Sequence, residues 1–119
     1  MEQEETQPDL ELKHLPYYVG TQCYYNVLGV KVTEGVKYIM DNGYAWFVTD
    51  TLAVIVCSPK LRAEPFLSVK LKVKDQEADL SIEDGNDNAF YHQHYDFTDA
   101  KKDLTLFYEY GVLLLASEH

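Results

Sequence analysis

The sequence lacks positive charge over a long stretch: residues 75–100 contain no lysine or arginine. The same stretch carries eight carboxylates, at Asp75, Glu77, Asp79, Glu83, Asp84, Asp87, Asp96 and Asp99. Half of the ten basic residues lie just before it, at Lys60, Arg62, Lys70, Lys72 and Lys74. Because the formal net charge is −10, we expect neither free nucleic acid nor an anionic membrane as a partner.

Cysteine and glycine are also scarce, which argues against several kinds of site. The two cysteines, Cys23 and Cys57, fit no metal-binding or redox motif, so we expect reduced thiols, with Cys57 buried and inert. The six glycines stand singly, and none belongs to a glycine-rich phosphate-binding loop. The sequence therefore predicts no cofactor and no catalytic residue.

Long apolar stretches are missing as well. No apolar run approaches the roughly 18 residues that a membrane-spanning helix requires. The first residues, Met1 to Glu5, are acidic, which is the opposite of a basic leader followed by an apolar stretch. We therefore expect a cytoplasmic protein.

The chain does contain enough apolar material for one core. It has 119 residues, of which 46% are hydrophobic and 25% charged, as is typical of a globular protein. Ten tyrosines suggest a thin domain whose rings lie between core and surface. We predict a flexible acidic tail at residues 1–9 and a single α+β domain at residues 10–119.

A short helix is predicted after Thr33. Threonine is a favourable N-cap, and the apolar residues that follow recur on one helical face. Gly35 is a poor helix former, so the first turn is weakly specified. The Asn42-Gly43 pair ends the helix.

Two further segments are ambiguous between helix and strand. Residues 44–57 are apolar and contain no glycine or proline, which favours a buried helix. Their many β-branched residues leave a strand at 52–57 as the alternative. Residues 99–110 are predicted to form a last helix that ends at Gly111. A strand over 104–108 is the alternative.

Strict alternation predicts two antiparallel strands. Residues 67–74 and 78–83 both alternate apolar with polar positions, so each strand has one buried face. A tight turn at Gln76-Glu77 would place Lys74 opposite Asp79, and this register also matches the apolar positions.

Two more strands complete the predicted sheet. Asp84-Gly85-Asn86 is a strong hairpin signal, and the strand that follows it covers residues 89–97. Residues 112–115 are wholly apolar, which indicates an inner strand. The predicted fold is α+β: an antiparallel sheet of about four strands with two or three helices packed on one face.

Several segments together resemble a known family. They are Tyr24-Tyr25, Thr33-Glu34-Gly35-Val36-Lys37-Tyr38, Ala45-Trp46-Phe47-Val48-Thr49-Asp50, Asp84-Gly85-Asn86 and Gly111-Val112-Leu113-Leu114-Leu115-Ala116-Ser117-Glu118. The set spans about residues 10–118 and resembles small bacterial proteins described only as a domain of unknown function, common in genomes rich in mobile elements. The resemblance implies a single-domain cytoplasmic protein with a helix before Gly111. It supplies no catalytic or binding residue.

Candidate site residues concentrate on the strand at 89–97. His92 and His94 project from one face, a spacing at which two imidazoles can share a metal with Asp79 or Asp96. Two histidines on the solvent side of a sheet are the interpretation we prefer, so no metal site is assigned. The predicted ligand or partner surface consists of Tyr24, Tyr25, His92, His94, Asp79 and Asp96.

Asp50 is the only charge within residues 44–57. A carboxylate on a buried helix should find a hydrogen-bond partner, such as a tyrosine hydroxyl or Lys37. Alternatively, Asp50 marks an exposed stripe together with Thr49, and this is the interpretation we prefer.

Three functions remain open from the sequence. The first is a non-enzymatic interaction module for a protein partner or a second copy of the chain, with a link to mobile elements implied by the resemblance. The second is a small metal-dependent enzyme centred on His92 and His94. The third is a small-ligand-binding protein that uses its tyrosines. Of these, we favour a function without enzymatic activity, and the enzyme stays an alternative.

Overall fold

A computed structural model of the chain describes residues 10–13, 24–86 and 88–118. The predicted acidic tail at 1–9 and Cys23 lie outside these ranges, and the division into tail and domain stays a prediction. No helix in the described ranges is both long and apolar enough to cross a bilayer.

Within the described residues, seven strands form one sheet. They are β1 (Tyr25–Val27), β2 (Val30–Val32), β3 (Phe66–Lys74), β4 (Glu77–Glu83), β5 (Ala89–Tyr95), β6 (Leu104–Glu109) and β7 (Val112–Leu115). Their spatial order is β1-β2-β7-β6-β3-β4-β5. Neighbours are antiparallel except for β2 and β7, which run parallel.

One helix dominates the helical part of the fold. The helices are α1 (Glu34–Ile39), α2 (Ala45–Cys57) and α3 (Pro59–Arg62), with a π-type turn at Met40–Tyr44 and a final 3-10 turn at Ala116–Glu118. The fold is therefore α+β as predicted, but it has a larger sheet and fewer substantial helices than the sequence indicated.

The prediction for α1 is confirmed. The Thr33 hydroxyl accepts a hydrogen bond from the Val36 amide at 3.4 Å, as an N-cap does. At the other end, the side-chain Nδ2 of Asn42 donates to the Tyr38 carbonyl at 2.8 Å. Gly43 then turns the chain with a φ of 104°, which a residue with a Cβ adopts only under strain.

Residues 45–57 form a helix, as predicted, in spite of their β-branched residues. Its buried residues recur at helical spacing: Phe47, Val48, Thr51, Leu52 and Ile55. Packing of this face therefore outweighs the weak strand propensity. The prediction for Cys57 is wrong, because the thiol stands at the exposed end of the helix.

The hairpin of β3 and β4 exists, but its predicted register is wrong by two residues. Lys72 lies opposite Asp79, and Lys74 lies opposite Glu77. The turn is Asp75-Gln76, where both residues have positive φ angles of 53° and 66°. A shift of two keeps every side chain on its predicted face, so the division into apolar and polar faces is confirmed.

The predicted helix at 99–110 is wrong, because β6 occupies Leu104–Glu109. Its residues alternate between buried and half-buried positions, as in a strand with one face on the core. Pairing with both β3 and β7 places β6 inside the sheet. The other missed strands, β1 and β2, have three residues each, too few to show a period.

The sheet has one face toward the helices and one open face. Leu71 and Leu80 are fully buried in the core that α2 shares, whereas Lys72 and His92 are exposed on the other side. The predicted orientation of the sheet is therefore confirmed. The inner position predicted for residues 112–115 is confirmed too, since β7 lies between β2 and β6.

The end of the described chain closes the fold through Glu118. Its carboxylate accepts hydrogen bonds from the Thr33 hydroxyl at 2.5 Å, the Gly35 amide at 3.1 Å and the Leu115 amide at 3.0 Å. A carboxylate at a helix N-terminus satisfies free amides and complements the helix dipole. Because Gly35 has no side chain, it leaves room for the Glu118 carboxylate that completes the cap of α1.

Candidate functional site

Two imidazoles and one carboxylate meet on the open face at the β5 end of the sheet. Asp79 Oδ1 lies 2.9 Å from His94 Nδ1 and 3.1 Å from His92 Nε2. This follows from the register, since Asp79 pairs directly with His94 across β4 and β5. The alternation on two adjacent strands brings the three side chains together, which is one of the arrangements that the sequence analysis left open.

His94 is surrounded by carboxylates on both sides of its ring. Its Nε2 lies 3.2 Å from Glu77 Oε1 and 3.4 Å from Asp96 Oδ1. Only a doubly protonated ring can donate to Asp79 and to these two groups at once. The hydrogen bond to Asp79 therefore raises the pKa of His94, and the same bond lowers the pKa of Asp79.

The His94–Asp79 pair is expected to stabilise the fold most between pH 4 and 6.5. A raised histidine pKa stabilises below the usual value of 6.5, and this contribution is lost as the pH rises through the folded pKa. A lowered aspartate pKa stabilises above the usual 3.8, and this contribution is lost as the pH falls through the folded pKa. His94→Gln should therefore lower the Tm by about 1–2 °C at pH 5 and by less at pH 8.5.

Thermal unfolding of both proteins at the two pH values measures this effect. An equal difference at pH 5 and pH 8.5, or a larger one at pH 8.5, would show that the ion pair contributes nothing.

The sequence raised the same side chains as candidate metal ligands. Within the described ranges, no group of three or more histidine, cysteine, aspartate or glutamate side chains is arranged to hold a metal ion. Both rings instead converge on one oxygen atom of Asp79. The geometry is that of charge-assisted hydrogen bonds.

The predicted tyrosine pair lies at the opposite edge of the sheet. Tyr25 begins β1, and Tyr24 precedes it. Six inter-strand spacings separate β1 from β5, roughly 29 Å at the usual spacing. Each ring lies beside an amine, with Lys31 6.0 Å from the Tyr24 centroid and Lys37 5.5 Å from that of Tyr25. The structure therefore does not join the tyrosines and the histidines into one surface.

The charges that are segregated in the sequence are adjacent in the fold. The lysines of β3 lie directly beside the carboxylates of β4, with Lys70 3.6 Å from Glu83 and Lys72 opposite Asp79. Two further carboxylates, Asp96 and Asp99, lie where the chain leaves β5. Neither forms an ion pair with a lysine or arginine of the described residues.

The sequence did not predict a cleft that lies on the helix-bearing side of the sheet. It has a volume of about 370 Å³ and is lined by Trp46, Asp50, Tyr95, Phe97, Thr98 and Asp99. The rings of Trp46 and Tyr95 meet edge to face, with centroids 4.9 Å apart and planes inclined at 71°. Phe97 stands at the rim and is 67% exposed.

Asp50 lies at the base of this aromatic corner. The Tyr95 hydroxyl donates a hydrogen bond to Asp50 Oδ2 at 2.7 Å. The tyrosine partner considered from the sequence is therefore present, and the preferred exposed stripe is wrong, because Asp50 is half-buried. Partial burial, followed by the bond to Asp50, raises the pKa of Tyr95.

The loop that carries Phe97 is anchored on both sides. The Thr98 amide donates to the Gln76 carbonyl at 2.8 Å, and the Ala100 amide donates to the Thr98 hydroxyl at 3.0 Å. The buried Tyr44 hydroxyl then accepts hydrogen bonds from the amides of residues 101 and 102. These hydrogen bonds hold the backbone of the loop that lines one side of the cleft.

A search of protein families matches residues 9–119 to a family of unknown function, DUF6876. The chain belongs to the DUF6876 family. No curated protein and no solved structure shows significant similarity to it. The resemblance inferred from the sequence, to a family without a known function, is thereby confirmed.

Two of the segments that carried the resemblance meet in the DUF6876 fold. Thr33 and Gly35 begin α1, and Glu118 lies in the last turn, yet their side chains and amides are bonded to each other. This contact is a structural one, since Glu118 is engaged in capping the helix.

The two edges of the DUF6876 sheet differ. At one edge, β1 has three residues, which offer little backbone for pairing. At the other, β5 has seven residues and pairs only with β4 among the described strands. It contains no lysine and no proline, the residues that commonly protect an edge. Among the described strands, its outer edge therefore has no partner.

Proposed function

We propose that this protein is a non-enzymatic interaction module that binds a basic segment of a partner protein along β5. The observation that carries the proposal is the long edge strand Ala89–Tyr95, which itself contains no lysine and no proline. An extended peptide can add a strand to such an edge, with backbone hydrogen bonds supplying affinity and side chains supplying specificity.

Charge supports a basic partner. Glu77, Asp79 and Asp96 line the open face beside β5, and Asp96 is 99% exposed. A lysine or arginine of an added strand would lie within reach of these carboxylates, which increases the association rate and selects against acidic partners.

A second copy of the chain fits this edge less well. It would bring the same carboxylates to the same place, in a protein of net charge −10. Like charges across a new strand pair are destabilising. The proposal therefore commits to a different, basic protein, and a dimer through β5 is an outcome that would contradict it.

The metal-dependent enzyme is the weaker candidate. Its two histidines already bond to Asp79, and His94 also faces Glu77 and Asp96. A metal would have to displace these charge-assisted hydrogen bonds from both rings.

Affinity capture with two matched variants tests the proposal. The edge variant combines Glu77→Gln, Asp79→Asn and Asp96→Asn. The control variant combines Glu11→Gln, Asp41→Asn and Glu64→Gln, and so removes the same three charges elsewhere. Each protein, tagged, is incubated with a lysate of its native host, and the retained proteins are identified by mass spectrometry.

We expect proteins that the wild type and the control retain, that the edge variant loses, and that salt elutes. Size-exclusion chromatography should show a monomer. Equal retention by the edge variant, or a dimer that the edge variant abolishes, would contradict the proposal.

A further inference from the structure

We infer that the cleft formed by Trp46, Tyr95 and Phe97 with Asp50 and Asp99 binds an organic cation, a quaternary alkylammonium group. This inference does not depend on the proposed function, because the cleft lies on the helix-bearing side of the sheet and not on the open face. Nothing about the family assigns such a site.

Aromatic walls are the first argument. The electron-rich faces of tryptophan, tyrosine and phenylalanine attract a cation within about 6 Å of the ring centroid. Here Trp46 and Tyr95 form a corner with ring planes inclined at 71°, and Phe97 closes the rim. Such cages recognise quaternary ammonium groups.

The exposure of Phe97 is the second argument. Its side chain is 67% exposed, which is unusual for a large apolar residue. The loop that holds it is fixed by the bond from the Thr98 amide to the Gln76 carbonyl. A ligand packed against the ring would cover apolar surface that otherwise faces water.

The carboxylates of the cleft indicate the class of ligand. Asp50 uses Oδ2 to accept from Tyr95, and in the described ranges no group donates to its Oδ1. Asp99 also lines the cleft. No lysine or arginine of the described residues pairs with either carboxylate. Two unneutralised carboxylates beside an apolar surface favour a ligand that is both positive and apolar.

The dimensions agree with this class. A volume of about 370 Å³ is at the small end of the range for small-molecule pockets. It accommodates a trimethylammonium group with a short stem. Because the surrounding backbone is anchored, little ordering is needed on binding.

Trp46 provides a direct readout, because it is the only tryptophan of the chain. Its single indole Nε1–H signal in a ¹H–¹⁵N spectrum is followed during titration with choline and with a capped tripeptide that contains trimethyl-lysine. The neutral isostere of choline, 3,3-dimethylbutan-1-ol, is the control ligand. We expect a cation to bind about tenfold more tightly than the isostere.

The two cationic probes distinguish a free small molecule from a modified protein side chain. Tighter binding of choline indicates a small free ligand, and tighter binding of the tripeptide indicates a modified side chain. Either result supports a site for organic cations. Failure of both probes to shift the Trp46 signal, or equal affinity for the neutral isostere, would overturn the inference.

Variants locate the binding. Phe97→Leu keeps an apolar residue but removes the ring, and Asp50→Asn keeps an acceptor for Tyr95 but removes the charge. Each should weaken the cation about fivefold or more, with little change for the isostere. Tyr110→Phe, at the exposed turn between β6 and β7, should leave the affinity unchanged. Undiminished binding by the Phe97 and Asp50 variants, with unaltered circular dichroism, would overturn the inference as well.

Discussion

Tyr44→Phe is expected to lower the free energy of unfolding by about 3 kcal/mol, a large effect for the loss of one oxygen atom. The Tyr44 ring is fully buried. Its hydroxyl donates to the Leu10 carbonyl at 2.6 Å and accepts from the amides of Lys101 and Lys102 at 3.1 and 3.2 Å. Removing it leaves three backbone groups without this partner, each at a cost of about 1 kcal/mol or more.

The effect follows from where these groups lie in the chain. Leu10, Tyr44 and residues 101–102 are far apart in sequence, so one hydroxyl joins the first described residues, the start of α2 and the β5–β6 loop. Urea unfolding followed by circular dichroism measures the change. Tyr110→Phe is the matched control, because that ring is 85% exposed and should change stability by less than about 0.5 kcal/mol. Equal stability of the two variants would contradict the role given to Tyr44.

Gly35→Ala is expected to destabilise the fold by about 2 kcal/mol, although alanine is the better helix former by about 1 kcal/mol. A Cβ atom at this position would lie 2.7 Å from Glu118 Oε1, and closer still to Leu115 Cδ1. Both neighbours are the ends of side chains, but neither can move freely. Leu115 is buried in the core, and the Glu118 carboxylate holds three hydrogen bonds.

A double-mutant cycle separates the steric effect from helix propensity. Glu118→Ala removes one of the two clashing side chains, so Gly35→Ala should cost less in that background. Denaturant unfolding of the four proteins gives the coupling free energy. A Gly35→Ala variant more stable than the wild type, or a coupling of zero, would show that Gly35 is not required by the contact with Glu118.

Sequence patterns predicted the strands that alternate strictly and failed where a local signal was weak. The faces of β3 and β4 were correct because their period is unambiguous. The register was not, because the turn residues Asp75 and Gln76 both adopt positive φ angles without the Asn-Gly or Asp-Gly pair that announces such a turn. The same alternation was present in Leu104, Leu106 and Tyr108, which are all buried. This period indicates the strand that is observed, in contrast to the helix that the resemblance implies.

The candidate site was predictable only where its residues are close in sequence or on paired strands. His92 and His94 share a face by spacing alone, and Asp79 joins them through a neighbouring strand. Glu77 was missed because it was placed in the turn. The cleft was not predictable, since Trp46 and Tyr95 are brought together only when α2 packs on the sheet.

Hydrogen–deuterium exchange of the protein with its captured partner tests the central claim, that binding occurs along β5, most directly. Amide protection on complex formation is predicted for residues 89–96, the edge strand and the acidic position after it. The β1–β2 hairpin at the opposite edge should exchange as in the free protein. Protection confined to residues 24–32, or none at β5, would contradict the account.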